Sequence, residues 1–287
     1  MAKTIDDGFE GLRSNLEITD LQEKTVSMRQ KNVRKALEND FDILDSFLTG
    51  SYRRSTMIAP LKGADVDIFI VLDPKYYEAS GQAALLANVK KALRKTYTET
   101  PDISPSGQAV TIRFTDFKLD VIPGFRRKGG GFLIPDSQLT RWIGTDPKRH
   151  VEIWADANKA HGGDLVPLLK MLKAWNISRG VLRSFHLETL ALSALENVRI
   201  SDFPSGVRFV FDKARAKIDK KLPDPAGYSD DVAAHVNTRE AMDKIVKRLA
   251  WAYETAVEAE RLAGNGYVEQ AFDKWASIFK GYFPSYR

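Results

Sequence analysis

The chain has 287 residues, 43% hydrophobic and 28% charged, with a formal net charge of +5; that is ordinary globular composition with ample material for a core. The absence of cysteine excludes disulfides, thiolate zinc sites and thiol nucleophiles, and no apolar run is long enough for a membrane helix. The opening MAKTIDDGFEG lacks the apolar stretch of a secretory signal, so a cytoplasmic address is expected, and the modest positive charge suits an anionic ligand such as a nucleotide without requiring nucleic acid.

In chain order, Phe9, Leu12 and Leu16 mark a short amphipathic stretch. Thr19-Asp20-Leu21-Gln22 has capping-box spacing. Met28, Val33, Leu37, Phe41, Leu44 and Phe47 then recur near helical spacing, which predicts one long helix from Thr19 to about Leu48, stopped by Gly50 at C′. Val66–Leu72 reads as a strand closed by Asp73-Pro74, and Gly81–Tyr97 as a helix. Pro101–Gly107 reads as loop, and Ala109–Phe114 with Phe117–Ile122 as a hairpin. Residues 123–150, rich in Pro and Gly and carrying Arg126-Arg127-Lys128, read as a mobile basic loop. After about Val151 the pattern is helical: 151–160, 164–176, 184–196, 207–221, 230–262 and 267–280.

The chemistry concentrates between Gly50 and Leu72. Asp65 and Asp67 are two residues apart at the start of an apolar strand, so both carboxylates leave the same face. A carboxylate pair there needs a cationic partner, and a hard divalent ion serves, because Mg2+ is commonly held by one or two carboxylates plus substrate phosphates. Asp120, 53 residues after Asp67 on another strand, supplies a third carboxylate and the ligand set for two ions. Gly50-Ser51 admits two readings: a helix C-cap, or a close backbone approach whose N–H groups and hydroxyl donate to a phosphate. The four histidines (His150, His161, His186 and His235) show no i, i+4 pair and read as loop or surface residues rather than a metal site. Arg53 and Arg54, just past Gly50-Ser51, admit two readings: side chains facing phosphates, or, as favoured, one solvated and the other paired with a carboxylate.

GSYRRSTMIAPLKGADVDIFIVL followed by KLDVIPGF resembles the polymerase-β-like nucleotidyltransferases. More narrowly it resembles the CD-NTases with the SMODS domain, the bacterial relatives of cyclic GMP-AMP synthase and oligoadenylate synthetase. Ile134-Pro135-Asp136, Trp142, Thr145-Asp146-Pro147 with His150, the segment Leu168–Trp175, Arg183–Glu188 and Leu222-Pro223-Asp224-Pro225 extend the resemblance over most of residues 40–250. It implies an α+β fold: a polymerase-β-like core, a mixed sheet with flanking helices, packed on a C-terminal helical lobe, as a two-lobed cage with the active site between. Residues 1–150 would form the catalytic lobe with an N-terminal bridging helix, and 151–287 a helical lobe like the oligoadenylate-synthetase C-terminal part.

By the same resemblance Asp65, Asp67 and Asp120 would be the catalytic, metal-holding residues, with two Mg2+ or Mn2+ ions. Gly50, Ser51, Lys173, Ser184 and Phe185 would bind nucleotide, Lys173 and Ser184 at the triphosphate and Phe185 stacked on the base. From the residues alone, Lys170 and Lys173 also fit a solvated basic face, Ser184 also fits an N-cap, and Phe185 also fits the core. The reaction implied is condensation of nucleoside triphosphates, ATP among them, into a cyclic di- or trinucleotide with release of pyrophosphate, serving antiphage (CBASS-type) defence. The chain would act as a monomer, with a regulatory protein partner, without obligatory DNA and without a membrane. Transfer to another acceptor (a tRNA 3′ end, an antibiotic or a protein) and an inactive nucleotide-binding scaffold are the alternatives; all three aspartates are present, which speaks against the scaffold.

Overall fold

The computed structural model describes residues 3–61, 64–100, 102–138, 140–180, 182–229 and 231–287. Lys62 and Gly63 of the Gly50–Leu72 stretch, Pro101 at the head of the expected loop and Asp230 at the expected start of the long helix lie outside them. The elements in order are α1 (Ile5–Asn15), α2 (Asp20–Leu37), β1 (Ile43–Thr49), the single turn α3 (Gly50–Arg53), β2 (Asp65–Leu72), α4 (Gln82–Thr96), β3 (Ile103–Ser106), β4 (Ala109–Arg113), β5 (Lys118–Arg126), β6 (Phe132–Asp136), β7 (Arg141–Thr145), α5 (Pro147–Ala160), α6 (Leu165–Arg179), α7 (Ser184–Leu195), α8 (Phe203–Lys217), α9 (Arg239–Gly264) and α10 (Val268–Phe279). The chain divides into two compact units: Ile18–Ile153 with Ala226–Ser229, and Met1–Glu17 with Trp154–Pro225 and Asp230–Arg287. The first helix therefore groups with the later helices, and the chain changes unit within α5.

The first of these units is a mixed sheet with helices on one face. Its strand order is β1-β2-β5-β4-β3, with β6 paired to β5 and β7 to β6. β2 and β5 are parallel, and the other pairs are antiparallel. Alternation decides which face is covered. Val66, Ile68, Ile70 and Leu72 of β2, Leu119 and Val121 of β5, and Val110 and Ile112 of β4 pack beneath Val26, Val33 and Leu37 of α2 and Leu86, Val89 and Leu93 of α4. The opposite face carries a smaller apolar cluster, Phe69, Val71, Phe132 and Ile134, with Phe47 stacked on Phe69 at 5.1 Å between ring centroids.

Several expected elements are corrected. The helix expected over Thr19–Leu48 ends at Leu37, where the N–H groups of Asp40 and Phe41 close onto the Leu37 carbonyl, and Ile43–Thr49 is a strand. Met28 and Leu44, read as members of an apolar helix face, are 55% and 49% exposed. Gly50 consequently follows a strand rather than a helix, and at φ +62° it opens α3. The Pro101–Gly107 loop contains β3, paired with β4 across Gly107.

The basic loop of residues 123–150 is instead the end of β5, then β6, β7 and the start of α5. Its glycines form the β5–β6 hairpin turn, where Arg127 N–H donates to Gly131 O at 3.1 Å and Gly129, Gly130 and Gly131 all have positive φ. Tyr228 packs against Gly131 so closely that a Cβ would meet its ring at 2.6 Å, which leaves glycine as the residue that fits.

The other unit is helical. α1 starts at a Thr4 capping box and buries Phe9 and Leu12. Phe9 meets Trp275 of α10 edge-on at 4.9 Å and Phe283 at 5.4 Å, while a Cβ on Gly8 would press into Phe283 and Phe272. α8 starts four residues earlier than expected because Asp202 caps it, accepting from Ser205 N–H at 2.8 Å, and Pro204 sits in its first turn. α9 starts at Arg239, capped by Thr238, rather than near residue 230. The segment before it is irregular backbone tied by Asp231, whose Oδ1 accepts from Leu222 N–H (3.0 Å) and Ala233 N–H (2.9 Å).

Candidate active site

The three aspartates come together on the sheet face opposite α2 and α4. In the parallel β2–β5 ladder Asp65 is opposite Lys118 and Asp67 opposite Asp120; in the antiparallel β4–β5 ladder Thr111 is opposite Asp120 and Arg113 opposite Lys118. The period of two puts all six residues on one face, beyond the end of the Phe69 cluster. Their neighbours Val66, Leu119 and Ile112 point the other way into the core.

Each carboxylate has a distinct setting. Asp65 is exposed and pairs with the Lys118 ammonium at 3.3 Å. Asp120 accepts a 2.6 Å hydrogen bond from the Thr111 hydroxyl. Burial holds the Asp120 carboxyl above the usual carboxylate range; Thr111 opposes that shift, the Asp65 charge adds to it, and Lys118 and Arg113 reduce it. Asp67 lies against Gly50, at which a Cβ would collide with Asp67 Oδ2. Gly50 is therefore required twice, for its positive φ and for the room it gives that carboxylate.

Oxygen-only donors on adjacent strands, with a glycine cradle beside one of them, suit a hard divalent cation. Among the described residues no three His, Cys, Asp or Glu side chains are already gathered around one point. Asp65 is turned to Lys118 and Asp120 to Thr111, so the ammonium and the hydroxyl now take up part of the carboxylates' capacity.

Around this face, the turn of Gly50 and Ser51 is closed by its own backbone: the Ser51 carbonyl accepts from Thr56 N–H (2.9 Å) and Met57 N–H (3.1 Å). Arg53 is exposed and Arg54 buried. Trp142 of β7 donates its indole N–H to the carbonyls of Glu78 (3.0 Å) and Ala79 (3.1 Å). Asp146 caps α5 through Arg149 N–H at 3.0 Å. Arg127, one of the basic trio, sits 5.5 Å from the Tyr228 ring centroid.

The remaining expected nucleotide ligands belong to the helical unit. α6 is buried on nearly every side, so its lysines are not a solvated face. Lys170 is 5% exposed and pairs with Glu17 at 2.6 Å; Lys173 is 4% exposed and stands 3.2 Å from Glu188 Oε1, itself fully buried. Ser184 is the first residue of α7, and the N-cap is Arg183, which makes no side-chain capping bond. Phe185 is half-buried and stacks on Trp154 at 5.7 Å.

Sequence reading missed Asn176, whose side-chain amide accepts from Leu182 N–H (3.0 Å) and donates to its carbonyl (2.7 Å), fixing the entry to α7. The bland reading of the histidines is corrected for two of them. His186 is 1% exposed, and its Nδ1 lies 3.0 Å from His235 Nε2. His150 is buried too, in the first turn of α5.

Residues 3–158 match the family described as the Second Messenger Oligonucleotide or Dinucleotide Synthetase domain. A cyclic AMP-AMP-AMP synthase from an Acinetobacter strain is 32% identical over 178 residues, which cover 58% of this chain and 50% of that relative; the match thus spans about half of the relative's length. The E. coli MS115-1 CdnC in the CdnC:HORMA-deltaN complex superposes with a TM-score of 0.73 at 16% identity, covering 96% of both chains. The Bradyrhizobium diazoefficiens CD-NTase CdnG in complex with GTP gives 0.75 at 15% identity over 97% of this chain and 98% of its own. At these identities the two structures establish a common fold. The chain belongs to the second-messenger oligonucleotide or dinucleotide synthetase family, the bacterial CD-NTase nucleotidyltransferases.

Proposed function

We propose that this chain joins nucleoside triphosphates, ATP among them, into a cyclic di- or trinucleotide with release of pyrophosphate, as a cytoplasmic enzyme of CBASS-type antiphage defence. The observation that carries the reading is the register of β2, β5 and β4, which aligns Asp65, Asp67 and Asp120 on one sheet face, opposite the core under α2 and α4. Family membership supports the reaction class, and the name of the Acinetobacter relative supports adenosine nucleotides as substrates.

Asp65, Asp67 and Asp120 would hold Mg2+ or Mn2+, two ions, which when bound supply neutralisation of the triphosphate and activation of the acceptor hydroxyl. Asp120, opposite Asp67 in the β2–β5 ladder, is the carboxylate assigned to take the acceptor's proton, as the resemblance implies. Gly50 keeps space for Asp67, and the backbone from Gly50 to Ser51 is assigned to the phosphates. Lys173 and Ser184 are assigned to the donor triphosphate and Phe185 to the base, as the resemblance implies. Because such transfers need little covalent help from protein groups, positioning and charge carry the catalysis.

Catalysis is assigned to the sheet-bearing unit and nucleotide binding by Lys173, Ser184 and Phe185 to residues of the helical one, to which the first helix also belongs. No helix among the described residues is long and apolar enough to cross a membrane. The CdnC:HORMA-deltaN complex favours a regulatory protein partner here as well. The test is incubation with each labelled triphosphate and Mg2+ or Mn2+, followed by mass spectrometry of phosphatase-resistant products. A cyclic product lost in Asp65→Asn and Asp120→Asn is expected. Product unchanged in either variant, or label transferred only to an added acceptor, would overturn the reading.

A further inference from the structure

The hydroxyl that binds Asp120 has a use in the proposed reaction. Thr111 is buried in β4, directly opposite Asp120 in the antiparallel ladder, and its Oγ1 donates to Asp120 Oδ1 at 2.6 Å. That length belongs to a charge-assisted O–H···O− bond. A threonine hydroxyl has one proton to give, and here it goes to the carboxylate. β-Branching restricts χ1, so the donor is fixed by its own strand. Asp120 is thereby tied at one oxygen while the other stays available. Asp65 has no such tether: it is exposed, and its cationic neighbour is the end of a flexible lysine.

We propose that Thr111 is the positioning residue for Asp120, holding Oδ1 so that Asp120 serves the metal and the acceptor hydroxyl through Oδ2 alone. The proposal rests on the catalytic reading above. A carboxylate fixed at one oxygen enters as a one-oxygen ligand of set direction, and ordering it costs nothing further at the moment of reaction. Asp65, exposed and paired only with a flexible lysine, is left to adapt around the substrate.

The test compares Thr111→Val with Thr111→Ser. Valine keeps the shape and suits a strand, so the fold survives, while the donor is lost; serine restores the donor. In Thr111→Val, kcat falls roughly tenfold with KM for the triphosphate changed less than about twofold, the size expected for one hydrogen bond to a charged group. Mn2+ titrated into the nucleotide-free protein and followed by electron paramagnetic resonance binds roughly fivefold more weakly, and Thr111→Ser recovers both properties. A purely structural hydroxyl would move the melting temperature and leave both readings intact. Thr111→Val with wild-type kcat and Mn2+ affinity, while Asp65→Asn loses both, overturns the inference and spares the catalytic reading. Thr111→Ser as impaired as Thr111→Val also overturns it. A wild type that neither binds Mn2+ nor forms product overturns the two together.

Discussion

Acidification should destabilise the helical unit through the His186–His235 pair. His186 is 1% exposed, with Nδ1 3.0 Å from His235 Nε2. Burial, and then the neighbouring His235, bring its pKa from 6.5 down to about 4, with Asp231 pulling weakly the other way. His235 is lowered as well, by burial and by Arg183, again against Asp231. A histidine whose folded pKa is depressed is held neutral in the fold. Its stabilising share is complete above the unfolded value of 6.5 and is lost as pH falls toward 4. For His186 the drop from pH 7 to pH 5 costs about 2 kcal/mol of folding free energy.

Urea denaturation at both pH values, for the wild type and for His186→Leu, isolates this contribution from the carboxylates, which titrate in both proteins. Leucine removes the buried imidazole and relieves His235 of its neighbour, so the variant's stability should fall less between the two pH values. An identical fall in both proteins, within about 0.5 kcal/mol, would refute a neutral buried pair.

Three further outcomes follow from the same geometry. Gly50→Ala adds a Cβ into Asp67 Oδ2 at a positive φ; it should cost about 1–2 kcal/mol of stability in a thermal melt and lower turnover about a hundredfold by displacing the carboxylate. Lys118→Met removes the ammonium 3.3 Å from Asp65 and should tighten Mn2+ binding to the nucleotide-free protein by up to about fivefold, since a competing exposed cation is worth about 1 kcal/mol or less; weaker binding in a calorimetric titration would refute that role. Glu188→Ala removes the counter-charge of the buried Lys173 and should cost about 3–5 kcal/mol in urea, while the double change Lys173→Met/Glu188→Leu should recover most of it.

Local patterns announced those parts of the fold that local chemistry decides. The Thr19 capping box is present, with Gln22 N–H to Thr19 Oγ1 at 3.3 Å and Thr19 N–H to Gln22 Oε1 at 2.9 Å. Phe9, Leu12 and Leu16 are buried where their spacing implied a face. β1 was illegible for a definite reason: Leu37, Phe41, Leu44 and Leu48 keep helical intervals across its start, and only pairing with β2, Phe47 opposite Phe69 and Leu48 opposite Ile68, makes Ile43–Thr49 a strand. The hairpin of β5 and β6 hides behind three glycines, which read as a loop until Tyr228, far along the chain, is seen to pack against Gly130 and Gly131. The histidine pair joins residues 49 positions apart, and no local spacing encodes it. The solvated-face alternative for Lys170 and Lys173 stayed open in the sequence because their carboxylate partners, Glu17 and Glu188, come from elsewhere in the chain.

The site was more legible than the fold around it because one periodicity sets both. In β2 and β5 every second residue enters the core under α2 and α4, and the residues between them begin with Asp65 and Asp67 in β2 and with Lys118 and Asp120 in β5. A one-residue slip of β5 against β2 would drive Lys118 and Asp120 into the apolar layer and bring Leu119 and Val121 out of it. Burying two charged groups while exposing two aliphatic side chains makes that register strongly unfavourable. The energy that fixes the strand register is thus the energy that aligns the three carboxylates, and the aspartates need no separate device to find one another. What register leaves open is the direction of each carboxylate, and there the face differs residue by residue: Gly50 makes room for Asp67, Lys118 draws Asp65, and Thr111 holds Asp120.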